Sequence, residues 1–187
     1  MLPKISGDNF RIMWDNAYAV HHLSDAPDQL ANLMALARHH DTNDSMVLFG
    51  STSKVTFAGA GISFLGTSRE KLGEFEQHLS ETMIGFDKVN QLRHVLFLKD
   101  MSGIARHMAR HAALLKPRFA LTEKILSKYL DGKRIGEWSR PNGGYFVSFD
   151  AIPGQAKEII TLAANVGVRL TPAGATFPYG LDPEDRN

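Results

Sequence analysis

Apolar positions along this chain fall into two rhythms: short runs of strand length, and longer stretches in which they recur every three or four residues. Phe10-Arg11-Ile12-Met13-Trp14 is a short buried-strand pattern that ends at Asp15. Ser24-Asp25-Ala26-Pro27 carries helix-start residues, and Leu30, Leu33, Met34 and Ala37 then follow at helical spacing, which predicts a helix from about Pro27 to His39. Asp41-Thr42-Asn43-Asp44 is a turn cluster. The apolar run Met46-Val47-Leu48-Phe49 follows it as a strand and ends in Gly50-Ser51-Thr52-Ser53-Lys54. Ala58-Gly59-Ala60-Gly61 permits close backbone approach, and Ile62 to Gly66 reads as another strand.

Ser68 has the character of an N-cap, and Leu72, Phe75, Leu79 and Met83 form an amphipathic stripe read as core packing on a helix of about fifteen residues. Phe86 to Met101 fits either state and receives no assignment. From Ser102 to Leu130 the spacing of Ile104, Met108, Ala112, Leu115, Phe119, Leu126 and Leu130 predicts one long helix, with Pro117 a point of kinking. Beyond it, Ile135–Trp138, the turn Pro141-Asn142-Gly143-Gly144 and Tyr145–Phe149 read as a hairpin. Pro153 to Asn165 is helical with Gly167 as its stop, and Val168-Arg169-Leu170 is the last expected strand. The pattern is α/β, with a boundary expected near residue 98 between a first domain, 1–98, and a smaller α+β domain, 99–187.

Composition narrows the function classes. At 187 residues with 43% apolar content the chain is a packed globular protein. A formal charge of +1 provides no general attraction for nucleic acid, and no nucleic-acid partner is expected. No apolar run approaches the ~20 residues that cross a bilayer, and Met1-Leu2-Pro3-Lys4 lacks the apolar stretch of a signal peptide. There is no cysteine, which is compatible with a cytoplasmic location.

Chemistry concentrates where the second strand delivers Lys54 onto a serine-rich turn. There an amine stands beside hydroxyls and backbone N–H groups able to hold an anion. Read locally, Lys54 is equally a solvated lysine, Asp15 a strand-end residue capping the next turn, Tyr18 a packed aromatic, and Ser51 and Ser53 ordinary turn residues. His107 and His111 lie one helical turn apart, but Met108 stands where the zinc-protease pattern requires Glu, and Arg106 and Arg110 flank them. A solvated cationic face is the reading for this pair, no metal site is expected, and His21-His22 and His39-His40 are read as structural or surface residues.

Gly50-Ser51-Thr52-Ser53-Lys54, with Asp15-Asn16-Ala17-Tyr18 before it and Pro141-Asn142-Gly143-Gly144-Tyr145-Phe146 after it, resembles the class I/II aminotransferases. These are fold-type-I enzymes dependent on pyridoxal 5′-phosphate (PLP), and the wording is most similar to a bacterial aspartate aminotransferase subgroup. The resemblance covers only the C-terminal part of such an enzyme. It implies part of the PLP-binding large domain followed by a truncated small domain, in a protein that is a homodimer at full length. It further implies that Lys54 is the catalytic lysine holding the cofactor as an imine and moving a proton, that Asp15 sits against the pyridine nitrogen as a buried carboxylate, that Tyr18 hydrogen-bonds the phenolic oxygen, and that Ser51 and Ser53 lie near the phosphate. Substrates would be an amino acid and a 2-oxo acid, exchanged by a ping-pong Schiff-base cycle. Ile62 stands where most such enzymes carry a phosphate-binding arginine. The family's N-terminal half is absent, and its arginine for the substrate carboxylate is expected beyond Asn187, Arg186 being no match. This chain alone is therefore not expected to transaminate. A non-catalytic fragment or interaction module, or a lyase or decarboxylase on the same fold, are the alternative readings.

Overall fold

The computed structural model describes residues 10–187, so the reading of Met1 to Lys4 lies outside the described residues. The chain divides into two compact units, the first ending at Ala112 and the second running from Ala113 to Asn187.

In the first unit, β1 (Ile12–Asp15), β2 (Met46–Ser51) and β3 (Ser63–Gly66) form a sheet in the order β1-β2-β3. β1 and β2 are parallel, in register from Ile12 opposite Met46 to Asp15 opposite Phe49. β3 returns antiparallel, with Ser51 opposite Ser63. Parallel neighbours require a long crossover, and here it contains α1 (Leu33–His39). This helix is shorter than its predicted span. Ser24 Oγ accepts the Ala26 N–H at 3.1 Å, closing a local turn, and Asn32 caps the helix by accepting the Ala35 N–H at 3.0 Å. The helix-start residues at 24–27 are thus spent on a turn, and exposed Leu30 offers no buried face to extend the helix backwards.

α2 (Arg69–Thr82) starts where expected, with Ser68 Oγ accepting the Lys71 N–H. Its stripe is not core packing, because Leu72, Leu79 and Met83 remain exposed. The unassigned stretch forms α3 (Lys88–Leu98), capped by Asp87, which accepts the Asn90 N–H at 2.9 Å. Its burial does not follow its apolarity: Leu92, Val95 and Leu96 are exposed, whereas His94 is buried beside Leu98. A tight corner joins α3 to α4 (Met101–Leu130). There Lys99 has a φ of 64° and a Cβ on Gly103 would meet Leu98 O, so only glycine fits. The Asp100 carboxylate accepts from Ser102 Oγ and the Gly103 N–H at the start of α4, and these bonds hold it below the ordinary aspartate pKa. α4 runs through Pro117 as one continuous helix. Val55, Leu98 and Met108 form a buried apolar cluster, with Val20 and Ile104 packed on it.

In the second unit β4 (Gly136–Trp138) pairs antiparallel with β5 (Phe149–Ala151). The predicted hairpin exists, but its second strand begins at Phe149 instead of Tyr145, and Ser139 N–H to Ser148 O at 2.9 Å closes the loop. α5 (Ala156–Asn165) ends as predicted at Gly167, whose φ of 84° lets the Gly167 and Val168 amides reach Ala164 O and Ala163 O. Val168–Leu170 is not a strand. The Ala151 N–H bonds Arg186 O at 2.8 Å. No helix among the described residues is long and apolar enough to cross a membrane.

Glu123 on α4 accepts from Arg140 Nε, Trp138 Nε1 at 2.9 Å and Ser127 Oγ at 3.0 Å, tying the helix to β4. The Arg140 hydrogen bond, reinforced by those from Trp138 and Ser127, holds its carboxyl below the ordinary glutamate pKa. A carboxylate with a depressed folded pKa stabilises above its unfolded pKa and loses that contribution as pH falls through the folded one. Glu123→Gln is therefore expected to lower the melting temperature at pH 7 and to shrink the difference from the parent as the buffer is taken below pH 4, measured by thermal denaturation across that range.

Candidate functional site

The site is built on the ends of β1 and β2. Because these strands are parallel, both deliver their following loops to the same edge of the sheet, the carboxyl end at which open α/β sheets bind ligands. Asp15 closes β1 and Ser51 closes β2, so the two sequence-predicted segments emerge from adjacent strands.

After β1 the pairing continues by one bond, Asn16 N–H to Phe49 O at 2.8 Å, and the chain then turns. Asp15 Oδ1 accepts the Ala17 N–H at 3.2 Å, the turn-capping role open to any strand-end Asp. Its carboxylate is exposed in this chain. Tyr18 is also partly exposed, its carbonyl accepts the His21 N–H at 3.0 Å, and its ring meets His21 edge-on at 5.3 Å. His21 is buried, and its Nε2 donates to Lys54 O at 3.1 Å. The loop carrying Asp15 and Tyr18 is thereby pinned to the backbone of the lysine.

After β2 the chain leaves the sheet abruptly. Thr52 O accepts the N–H groups of both Val55 and Thr56, at 2.9 and 2.8 Å, to make one tight turn. That carbonyl is then lost to β3, and the Ile62 N–H is received by the Thr52 hydroxyl at 2.7 Å, while Thr52 N–H reaches Ile62 O at 2.8 Å. Gly61 packs on Ser53 so closely that a Cβ would lie 2.4 Å from Ser53 Oγ and 2.6 Å from its amide. Lys54 stands exposed at the crown of this turn. Val55 turns inward to the core, and its carbonyl accepts from His107 Nε2 at 2.7 Å.

The serine turn does not offer the run of open backbone donors expected of it. The amides of Val55 and Thr56 donate to Thr52 O, that of Ser53 to Ser51 Oγ at 3.1 Å, and that of Thr52 across to Ile62 O. The hydroxyls of Ser51 and Ser53 lie 2.9 Å apart. Between them they carry two protons and use one in their mutual bond, so the pair has one donor to offer an acceptor.

The histidines beside the turn were not legible as part of it. His107 and His111 are half-buried with rings 4.6 Å apart, and His107 meets Phe97 edge-on, so the pair is not a solvated face. Burial, followed by the neighbouring His107 and His21, holds His111 below the ordinary histidine pKa. No group of three or more His, Cys, Asp or Glu among the described residues could hold a metal ion. His39 and His40 lie at the surface, as read. A cavity of about 410 Å³ lies between the segment after the turn and α3, lined by Thr56, Phe57, Arg93, His94 and Phe97 among others; Lys54, Asp15 and Tyr18 are not on its wall.

Comparison with known proteins agrees with the resemblance. The Aspartate amino-transferase family matches residues 2–187. A Mycolicibacterium smegmatis protein described as an aminotransferase is 48% identical over 186 residues, covering 100% of this chain and 43% of that protein. The crystal structure of an aspartate transaminase from Corynebacterium glutamicum superposes with a TM-score of 0.89 at 40% identity, over 95% of this chain and 42% of that one. An alpha-aminoadipate aminotransferase from Thermus thermophilus, crystallised with N-(5′-phosphopyridoxyl)-L-leucine, shares the fold with a TM-score of 0.71 at 23% identity, over 88% and 41% of the two chains. The chain thus spans less than half the length of these proteins, and it belongs to the aspartate amino-transferase family.

Gly61→Ala tests the closeness of the turn. The added methyl has to displace Ser53, at a cost of about 1–3 kcal/mol. A lower melting temperature, with faster amide exchange at Val55 and Thr56 than in the parent, is the expected outcome. Unchanged stability would show that the turn is looser than its geometry.

Proposed function

We propose that this chain is part of a PLP-dependent aminotransferase of the aspartate type, moving an amino group between an amino acid and a 2-oxo acid by a ping-pong cycle. One observation carries the reading: in a chain of this family, Asp15 and the Lys54 turn leave the same end of two adjacent parallel strands and are tied together through His21. The residues present fit the cofactor. A primary amine, a carboxylate, a phenol and a hydroxyl pair with one proton to give are complementary to an aldehyde, a ring nitrogen, a phenolic oxygen and a phosphate. The phosphopyridoxyl adduct bound by the Thermus thermophilus protein supports the same assignment.

When bound, PLP supplies an aldehyde that condenses with amines and a protonated ring that withdraws electrons from the substrate α-carbon. Lys54 contributes the amine that would anchor the cofactor, and once freed it would serve as the base that carries the proton from the substrate α-carbon to the cofactor carbon. Asp15 holds the proton on the ring nitrogen by its opposite charge. The Tyr18 hydroxyl would donate to the phenolic oxygen, and the Ser51–Ser53 pair would give its one remaining proton to the phosphate. We infer further that residues 1–98 belong to a fold-type-I large domain and 99–187 to the small domain, and that the complete enzyme is a cytoplasmic homodimer.

Borohydride reduction in the presence of PLP, followed by peptide mapping, is expected to place the pyridoxyl label on Lys54; a label concentrated on any other lysine refutes the assignment. In a complete enzyme carrying this chain, Asp15→Ala should keep that label and lose more than about tenfold in turnover, or ~1.4 kcal/mol. Glutamate formation from aspartate and 2-oxoglutarate separates transamination from lyase or decarboxylase chemistry. The 187-residue chain by itself is expected to give none.

A further inference from the structure

The structure assigns to His94 the role of positioning residue for the Lys54 turn, a role that rests on Lys54 being the cofactor lysine. His94 is 8% exposed and lies on α3, forty residues along the chain from the lysine. Its Nδ1 is 2.9 Å from Asn90 O, a carbonyl that can only accept. In the neutral imidazole the proton is therefore on Nδ1, and Nε2 presents a lone pair.

That lone pair faces two hydroxyls, Thr52 Oγ1 at 2.9 Å and Thr56 Oγ1 at 3.0 Å. Thr56 has an alternative acceptor in Thr52 O at 3.2 Å. Thr52 has only a weaker one, Ile62 O at 3.4 Å, and its oxygen already receives the Ile62 N–H. The satisfied arrangement is one directed chain: Ile62 N–H to Thr52 hydroxyl, Thr52 hydroxyl to His94 Nε2, His94 Nδ1–H to Asn90 O. Each bond polarises the next in the same sense. It links β3, the turn and α3 in a single line.

One helical turn before His94, Asn90 Nδ2 donates to Ala60 O at 3.0 Å. α3 thus grips both ends of the segment 52–61, and Gly61 in turn backs Ser53. With its two ends held and Val55 anchored in the core, the crown of the turn has one position for Lys54. Without Nε2, the Thr52 hydroxyl proton falls back on the 3.4 Å contact, and nothing ties it to the helix.

The test uses the whole chain and its His94→Ala, His94→Gln and Ser68→Ala variants. Glutamine places Oε1 where Nε2 stood and can accept the Thr52 proton. Ser68→Ala weakens the cap of α2 and controls for loss of stability alone. Each protein is exposed to PLP and reduced with borohydride, and the label on Lys54 is expressed relative to that on Lys116 and Lys124 of the same molecule. Amide exchange at Val55 and Thr56 is measured without PLP.

His94→Ala is expected to lower the relative Lys54 label about tenfold and to speed exchange at both amides. His94→Gln should recover most of both, and Ser68→Ala should leave both near the parent value. Unchanged exchange in His94→Ala overturns the inference whatever Lys54 does. So does an unchanged Lys54 label, or a Ser68→Ala variant that loses the label equally. A parent protein that does not label Lys54 preferentially refutes the cofactor reading, and the positioning role with it, even where exchange shows that His94 holds the turn.

Discussion

The arrangement depends on one hydrogen bond, from the Ile62 N–H to the Thr52 hydroxyl. A strand that ends in a tight turn faces a conflict, because the last carbonyl is wanted both by the neighbouring strand and by the amides of the turn. Thr52 O goes to the turn, accepting two N–H groups. The partly buried Ile62 amide would then lack its acceptor, a loss of about 1–3 kcal/mol for a buried donor. The β-hydroxyl of Thr52 substitutes for the missing carbonyl. The chain can therefore leave the sheet within one residue of Ser51, and Lys54 stays close to the strand ends from which Asp15 also emerges.

The core lies directly behind this turn. Val55, one residue past the lysine, packs with Leu98 of α3 and Met108 of α4, and the carbonyls of Lys54 and Val55 are taken by His21 and His107. Lysine and valine alternate in function: one side chain is presented outward, and the next is buried to fix the backbone that presents it. In each case a backbone carbonyl beside the core is paired with an imidazole N–H.

What the sequence disclosed follows from this division. β2, the lysine turn and Asp15 were legible because apolar runs there stop sharply at residues with turn chemistry, and the long helix because its period persists from Met101 to Leu130. α3 was illegible because most of its apolar residues are exposed and its inner face is half-buried Asn90 with buried His94 and Leu98, a spacing of four visible only if polar residues are admitted to a core face. The stripe on α2 misled for a related reason: periodicity reports an apolar face and not whether this chain covers it. Val168–Leu170 has strand propensity but forms no strand, because propensity alone does not supply a pairing neighbour.

Ile62 shows how position and side chain separate. Its backbone is committed in both directions, N–H to the Thr52 hydroxyl and C=O to the Thr52 amide, and neither bond needs a particular side chain. The arginine that the resemblance implies at this position in most such enzymes is therefore not needed by the turn's backbone. Under the proposed reading, a phosphate here meets neutral hydroxyls where a guanidinium would stand. A hydroxyl donating to a phosphate still makes a charge-assisted bond of about 1.5–3 kcal/mol, but it offers one donor and no opposite charge where a guanidinium offers a two-pronged, charged contact. With the turn amides of Thr52, Ser53, Val55 and Thr56 already engaged, the difference is not recovered from them. Retention of the cofactor then leans more on the covalent link at Lys54, which makes the geometry of that one side chain, and of the histidines that fix its backbone, matter more here than where an arginine shares the load.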